Sequence, residues 1–312
     1  MNTHCSMSPR IVSVFGATGI QGAAVIDRLI ADGTFVPRAI TRNTDSDAAR
    51  ALKTRGVHVI TADPLDKASL GDALHGCEAL FMVTNPMLPT EPEGPNEVTQ
   101  GKNIADVAKE VGVKFIVFTS LPSITDISGG KYPNCFQYDL KPVIESHIRT
   151  TGIPHAFLHL GAFLENFWKF NFLAKTPAGF DIAVPNQKPG DLQAFTWVER
   201  EVPAATLAIL KRYLDEGDVG VSGKTYPIVN ATISFAELAE RTGRALGVEV
   251  TFTAAPAKGP VFWDEMWAAL GEYSGLYTHT PVPNPELVAL GVQFGTIEEF
   301  LEKEVKPRFG FN

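Results

Sequence analysis

Six short apolar runs recur through the first half of the chain: IVSVF (11–15), VPRAIT (36–41), VHVIT (57–61), ALFMV (79–83), KFIVFT (114–119) and HAFLHL (155–160). Each is nearly continuous in Val, Ile, Leu and Phe rather than alternating, the pattern of a strand whose sheet is covered by helices on both faces. Helical spacing fills the gaps. Between the fourth and fifth runs, Ile104, Val107, Ala108 and Val111 fall at i, i+3, i+4 and i+7 and predict one buried helix face. Repeated strand–helix units of this kind predict a parallel, doubly wound α/β sheet. Of the 312 residues, 45% are apolar and 20% charged, which supports a substantial core and argues against disorder.

The rhythm breaks after Leu160. Aromatics crowd FLENFWKFNF (163–172), and TPAGFDIAVPNQKPG has the proline and glycine content of loops and short strands. Later helices are predicted at SFAELAERTGRAL and TIEEFLEKEV, each opened by a capping box, Ser234 with Glu237 and Thr296 with Glu299. The chain therefore divides into a first domain, 1–160, and a smaller C-terminal α/β lobe on the substrate side, 161–312, some of whose segments return to the first sheet.

A formal charge of −8 with no basic run excludes a surface built to neutralise nucleic-acid phosphates. No apolar run approaches the ~20 residues that cross a bilayer, and the N-terminus lacks the pattern of a signal peptide. Cys5, Cys77 and Cys135 are odd in number and widely spaced, which reads as reduced thiols in a cytoplasmic protein. An N-x-T match at Asn230 carries no weight without a secretory route.

The strongest chemical motif is IVSVFGATGIQGAAVIDRLI, where Gly16, Gly19 and Gly22 directly follow a strand and open a helix. Glycines let the backbone turn tightly and approach a pyrophosphate, while the helix N-terminus offers free N–H groups and the positive end of its dipole. Dinucleotide binding is the expectation. A site for NAD usually has an acidic residue about 20 positions on, at the end of the second strand. Here that count, taken from Gly22, reaches Arg42, whose guanidinium suits a 2′-phosphate. NADP is thereby favoured, although Asp45 and Asp47 lie close by.

These motifs, with TRN (41–43), Asp63 after the third strand, VTN (83–85), QGKNIADVAKEVGV (100–113), Lys141 and FLEN (163–166), resemble the NmrA-like family of atypical short-chain dehydrogenase/reductases. The resemblance covers roughly the first 170 residues and implies a Rossmann domain binding NADP. Carried over by position, it implies that Gly16, Ala17, Thr18, Gly19, Ile20, Gln21 and Gly22 form the pyrophosphate loop. Arg42 and Asn43 would meet the 2′-phosphate, and Asp63 the adenine side. Thr84 and Asn85 would follow the nicotinamide half, Lys141 its ribose, and Phe163, Glu165 and Asn166 the nicotinamide edge. Thr99 stands where relatives often have a lysine, which removes one cationic contact. Members of the family include NADP-sensing regulators and reductases of the isoflavone-reductase type.

The lysine raises a problem of its own. In a tyrosine–lysine reductase the donor tyrosine sits four residues ahead of the lysine, and in CFQYDLKPVI that position is Gln137. An amide has no proton to give at neutral pH. Tyr138 is adjacent but rotated about 100° around the helix, so it serves only if the helix start is distorted. Ser120, at the end of the fifth strand, holds the place of the hydroxyl partner. Lys141 has three roles open to it: ribose anchor, electrostatic stabiliser of an oxyanion, or acid–base group.

Other features point elsewhere. His155 and His159 have zinc-ligand spacing only if helical; in a strand four residues span ~13 Å, and no metal is expected. Pro86, Pro89, Pro92 and Pro95 recur every third residue, as in a polyproline segment that stiffens a lid or docks a protein partner. Cys135 reads as an ordinary thiol. Phe163, Phe167, Trp168, Phe170, Phe172, Trp263, Trp267, Tyr273 and Tyr277 either line a flat-ring pocket or build core. Two functions follow: an NADP(H)-dependent oxidoreductase acting on a small aromatic or unsaturated carbonyl, imine or enone with Lys141 as its catalytic residue, or a non-catalytic NADP(H) sensor acting through a protein partner.

Overall fold

Apolar side chains at consecutive strand positions have to be covered from above and below, and the chain meets that demand by laying helices on both faces of one sheet. The structure is a computed structural model that describes residues 9–87, 96–217, 220–277 and 280–311. Strands β1 (Ile11–Val14), β2 (Val36–Thr41), β3 (His58–Thr61), β4 (Ala79–Met82), β5 (Phe115–Ser120) and β6 (His155–Leu160) fall within a residue of the predicted runs. Between them lie helices α1 (Ile20–Asp32), α2 (Asp47–Thr54), α3 (Lys67–Leu74), α4 (Glu97–Glu110), the short α5 (Ile124–Ile127) and α6 (Phe136–Thr151).

The second half supplies β7 (Ala162–Phe163), α7 (Asn166–Lys169), β8 (Leu173–Lys175), β9 (Gly179–Pro185), β10 (Leu192–Thr196) and the long α8 (Val198–Glu216). After α8 come β11 (Lys224–Ile228), β12 (Ala231–Ser234), α9 (Phe235–Leu246), β13 (Glu249–Ala255) and α10 (Val261–Glu272). The main sheet is seven-stranded in the order β11-β6-β5-β4-β1-β2-β3, and every pairing in it is parallel. The strand order reverses between β1 and β4, which opens a crevice beyond their C-terminal ends. Two three-stranded sheets, β12-β10-β7 and β13-β9-β8, lie outside it. Chain beyond 160 contributes to the main sheet: β11 adds its edge strand, and α8 packs on α1.

One apolar cluster joins α1 and α8 to one sheet face, and another joins α3, α4 and α6 to the opposite face. A third, built on Phe167, Phe180, Trp197, Trp267 and Phe300, forms the core of the second half. Fully buried rings such as Phe115, Phe118 and Phe157 contribute about 1.5–3 kcal/mol each by leaving water. The two capping boxes come out differently. Thr296 and Glu299 exchange both bonds, whereas Ser234 caps Glu237 N but the Glu237 carboxylate is taken by Arg241.

Helices α4 and α6 cross unusually closely. A Cβ built on Gly101 would lie 2.5 Å from Ile144 Cγ2 and 2.7 Å from its Cγ1, so the glycine sets the spacing. Helix propensity alone favours alanine there by about 1 kcal/mol. We expect Gly101→Ala nevertheless to cost about 1–3 kcal/mol in urea unfolding, because overpacking outweighs propensity. Gly71→Ala in α3, where nothing lies within 4 Å of the added carbon, serves as the control and should be neutral or stabilising. A stabilised Gly101→Ala would contradict the close crossing.

Candidate functional site

The glycine turn after β1 is tight. Gly16 takes φ +65°, a left-handed conformation that suits glycine, and Gly19 N donates to Gly16 O at 2.9 Å to close the turn. A Cβ on Gly22 would sit 2.3 Å from Gly16 O, so only glycine lets α1 start this close to the strand. Gly19 caps α1 without a side-chain bond, and no acidic residue stands in the first turn. The free N–H groups and the positive end of the helix dipole are therefore left for an anion.

A cleft of about 430 Å³ opens beside this turn, beyond the ends of β1, β4, β5 and β6. Gly16, Gly19, Ile20 and Gln21 form one wall; Val83, Thr84, Asn85 and Pro86 follow from β4, and Thr119, Ser120 and Leu121 from β5. Gln137, Tyr138 and Lys141 enter from α6, and Phe163 and Asn166 from the chain after β6. The far wall is aromatic. Phe172 lies 5.9 Å from Trp267, and Trp267 meets Trp263 edge-on at 6.1 Å, with Phe170 at the rim 65% exposed. Phe167 and Trp168 instead pack on Phe300, and Tyr277 is buried with its hydroxyl donating to Leu160 O, so the aromatic group splits between pocket and core.

At the centre is a buried ion pair. Lys141 Nζ donates to Glu97 Oε1 at 2.6 Å, and Thr84 Oγ1 donates to the same oxygen at 2.6 Å. Glu97 is wholly buried and Lys141 is 7% exposed. Glu97 opens α4, where a negative charge meets the positive end of the helix dipole. Its partner sits over the Phe118 ring, 5.8 Å from the centroid. Sequence reasoning missed Glu97, since an acid at a helix start usually reads as a solvated end. Thr99, in the place of the expected lysine, closes a capping box with Asn96 and so belongs to the same helix start.

The remaining anticipated residues separate into two groups. Asn85 exchanges backbone bonds with the Gln100 amide, which fixes the loop after β4. Arg42, Asn43 and Asp63 lie outside the cleft, on the open surface beyond β2 and β3, with Arg42 exposed. Asn43 Oδ1 accepts from Asp45 N, and Asp63 Oδ1 accepts from Leu65 N, so both shape turns at the strand ends. Glu165 is the exception. Its side chain turns away from the cleft into the core, where Oε1 accepts from Glu199 N at 2.9 Å at the start of α8.

Tyr138 reaches the cleft beside Gln137 because the cavity wraps around the first turn of α6, so no distortion of the helix is needed to bring it there. Burial raises its phenol well above the ordinary value, with the nearby Cys135 adding to the effect. Cys135 itself is pushed up to about 12 by burial and by Asp139 and Glu265, which makes it a poor nucleophile. His155 and His159 lie on β6, the first bound to Ile153 O and the second paired with Glu145 at 2.6 Å. Cys5, Pro89, Pro92 and Pro95 lie outside the described residues.

Among the described residues, four that line the cleft carry a buried polar atom without a protein partner: Gln21 Oε1, Ser120 Oγ, Gln137 Oε1 and Trp267 Nε1. Such atoms cost about 1–3 kcal/mol each unless a ligand satisfies them. A larger polar groove of about 1120 Å³ between α1 and α8 contains none of them, and its Asp32 is already paired with Lys211. The glycine turn and these unpartnered atoms mark the cleft, rather than the groove, as the candidate ligand site.

Comparisons with known proteins bear on the family and the fold. A family model described as the NmrA-like family matches residues 8–273. The NmrA-like family domain-containing oxidoreductase FrzB of Cladobotryum sp is 37% identical over 161 residues, 50% of this chain and 48% of that protein. The corresponding oxidoreductase cpsB of Aspergillus campestris is 30% identical over 283 residues, 86% of this chain and 80% of that one. The chain spans about half the length of FrzB and of two further oxidoreductase relatives. Among solved structures, NmrA, a negative transcriptional regulator, in complex with NADP superposes with a TM-score of 0.76 at 21% identity over 96% of each chain. Triphenylmethane reductase of Citrobacter sp. complexed with NADP(H) gives 0.70 at 24% identity, covering 94% of this chain and 99% of that one. At these identities the structural likeness shows the fold.

Removing one partner of a buried pair strands the other charge. We therefore expect Glu97→Ala to cost about 3–5 kcal/mol in urea unfolding, and Glu97→Leu with Lys141→Met to lose less than either single change. Additive losses would contradict a coupled pair.

A pH dependence follows from two other buried acids. Burial pushes Glu165 up to about 7 and Glu201, which accepts from Trp197 N and Gly295 N, up to about 8, both above their ordinary 4.5. The folded state thus holds protons that the unfolded chain releases, so their contribution is full below pH 4.5 and fades as pH rises through about 7 and 8. The urea midpoint should fall as pH is raised across that range, and Glu165→Gln with Glu201→Gln should flatten the profile. A wild-type midpoint that rises with pH there would contradict the assignment.

Proposed function

Since the chain belongs to the NmrA-like family, we propose that it is an NADP(H)-dependent oxidoreductase reducing a small aromatic or unsaturated carbonyl, imine or enone. The observation that carries the reading is the cleft at the reversal of strand order, where the glycine turn, Lys141 and an aromatic wall converge. The relatives named as oxidoreductases and the neighbours complexed with NADP or NADP(H) support it.

In this proposal Gly16 to Gly22 and the start of α1 receive the pyrophosphate, Arg42 and Asn43 the 2′-phosphate, and Asp63 the adenosine side. Thr84, Asn85, Lys141, Phe163 and Asn166 surround the nicotinamide half. NADPH, when bound, supplies a hydride. Lys141 anchors the ribose side while Glu97 fixes its ammonium, and the aromatic wall excludes water and holds a flat substrate. A second reading, a non-catalytic NADP(H) sensor, is favoured by one observation: the position four residues before Lys141 is an amide, Gln137.

The test is NADPH consumption by the purified protein with a panel of enones, quinones, imines and aldehydes. Turnover of at least one class is expected; tight NADPH binding without turnover would favour the sensor. Arg42→Ala should erase most of the preference for NADP over NAD, a loss of roughly 10- to 100-fold for one charged contact. An unchanged ratio would remove Arg42 from the site.

A further inference from the structure

Among the described residues, four hydroxyls line the cleft: those of Thr84, Thr119, Ser120 and Tyr138. Three of them are spent or sealed. Thr84 Oγ1 donates to Glu97 at 2.6 Å, Thr119 Oγ1 donates to Met82 O at 3.4 Å, and Ser120 Oγ is enclosed with no open surface. Tyr138 is different. Its hydroxyl has no partner among the described residues, and unlike Ser120 Oγ it keeps open surface on a half-buried side chain.

Its neighbours say where that surface opens. The Tyr138 ring packs against the core of the second half, the cluster that holds Met266 and Trp267 of the far wall. Its oxygen lies deep enough for burial to raise the phenol well above the ordinary value, and near enough to Tyr277 to help raise that phenol too. Tyr277 donates to Leu160 O at 2.9 Å, and Leu160 ends β6 on the cleft wall. A deep oxygen beside the end of β6 that still has open surface faces the cleft, on its aromatic side. Lys141 stands on the other side, held by Glu97 at 2.6 Å above the Phe118 ring, and does not draw the phenolic proton away. The hydroxyl is therefore a fixed neutral donor.

We propose that the Tyr138 hydroxyl donates a hydrogen bond to the substrate's carbonyl oxygen, and that the cleft takes an uncharged conjugated carbonyl, an enone or a quinone. The proposal rests on the oxidoreductase reading and narrows its substrate class. Reduction of an isolated ketone leaves an alkoxide, which needs a proton at once. A conjugated carbonyl instead leaves an enolate or hydroquinone anion, whose spread charge a fixed donor can hold. With a reduced nicotinamide dinucleotide as reductant, a C–H bond forms at the β carbon of an enone. The C=C π pair moves between the α carbon and the carbonyl carbon, and the C=O π pair settles on the oxygen bonded to Tyr138. The dinucleotide is left oxidised, and the enolate takes its proton from water. Among the described residues no carboxylate lines the cleft to favour a cationic imine in place of a neutral carbonyl.

The test compares the full chain with Tyr138→Phe, which removes the hydroxyl alone. Hydride transfer from NADPH to cyclohexenone and to menadione is timed in a single turnover. The variant should slow it at least about 100-fold, the scale of one oxyanion donor. NADPH affinity should be unchanged, and the urea midpoint should not fall, since the hydroxyl has no protein partner to lose. A second measurement needs no turnover. With NADP⁺ bound, tetralone and tetralin, which differ in the carbonyl, are titrated by tryptophan fluorescence. Tyr138→Phe should lower the ratio of their affinities by about 3- to 10-fold, the size of one neutral hydrogen bond. A smaller loss of rate or an unchanged ratio would overturn the proposal. So would weakened NADPH binding, which places the hydroxyl on the cofactor, or a lowered midpoint, which gives it a protein partner. Turnover of imines or aldehydes with neither enone nor quinone reduced would sink this inference and leave the oxidoreductase reading standing. NADPH binding without turnover of any class would sink both.

Discussion

The buried Lys141–Glu97 contact is the constraint around which the cleft is arranged. Two charges removed from water demand close geometry and further hydrogen bonds, or the desolvation cost exceeds the attraction. The chain meets that demand with three separate elements: Glu97 from the first turn of α4, Lys141 from α6, and the Thr84 hydroxyl from just beyond β4. Gly101 stands one turn after Glu97 and Ile144 nearly one turn after Lys141, so the tight crossing of α4 and α6 falls where the ions have to meet. The fold is thereby tied to the placement of one ammonium group.

On the other side of the crevice the constraint is steric rather than ionic. Gly22 lets α1 begin almost in contact with the Gly16 carbonyl, which leaves the helix N-terminus directed at the space beyond β1. The start of α1 and Lys141 thus line one cavity at the end of one parallel sheet. The aromatic wall comes from a different core, that of the second half of the chain. That wall can then vary without disturbing the glycine turn.

How much of this was legible in the sequence followed the range of the interactions. β1 to β6 were readable because strands buried on both faces leave unbroken apolar runs. β11 was not named, since KTYPI alternates, contains Pro227 and lies at the sheet edge, where proline is tolerated. Gly16, Gly19, Gly22 and Lys141 announced themselves by local spacing. Glu97 did not, because its partner is 44 positions away and nothing near it in sequence marks it as buried. Glu165 looked like part of a site motif, yet its carboxyl serves an amide 34 residues on, and Gln137 is oriented by a carbonyl 125 residues on. Long-range partners of polar groups are what a single sequence conceals.

The central claim is that a nicotinamide dinucleotide lies across the end of the main sheet, with its pyrophosphate at the start of α1 and its nicotinamide half toward Lys141. A crystal structure of the protein grown with NADPH tests this most directly. The account predicts phosphate density against the Gly16–Gly22 backbone, with the extra phosphate beside Arg42 and the ring beside the Lys141–Glu97 pair. Dinucleotide density located elsewhere, or side chains closing the crevice over Gly19 in its place, would contradict it.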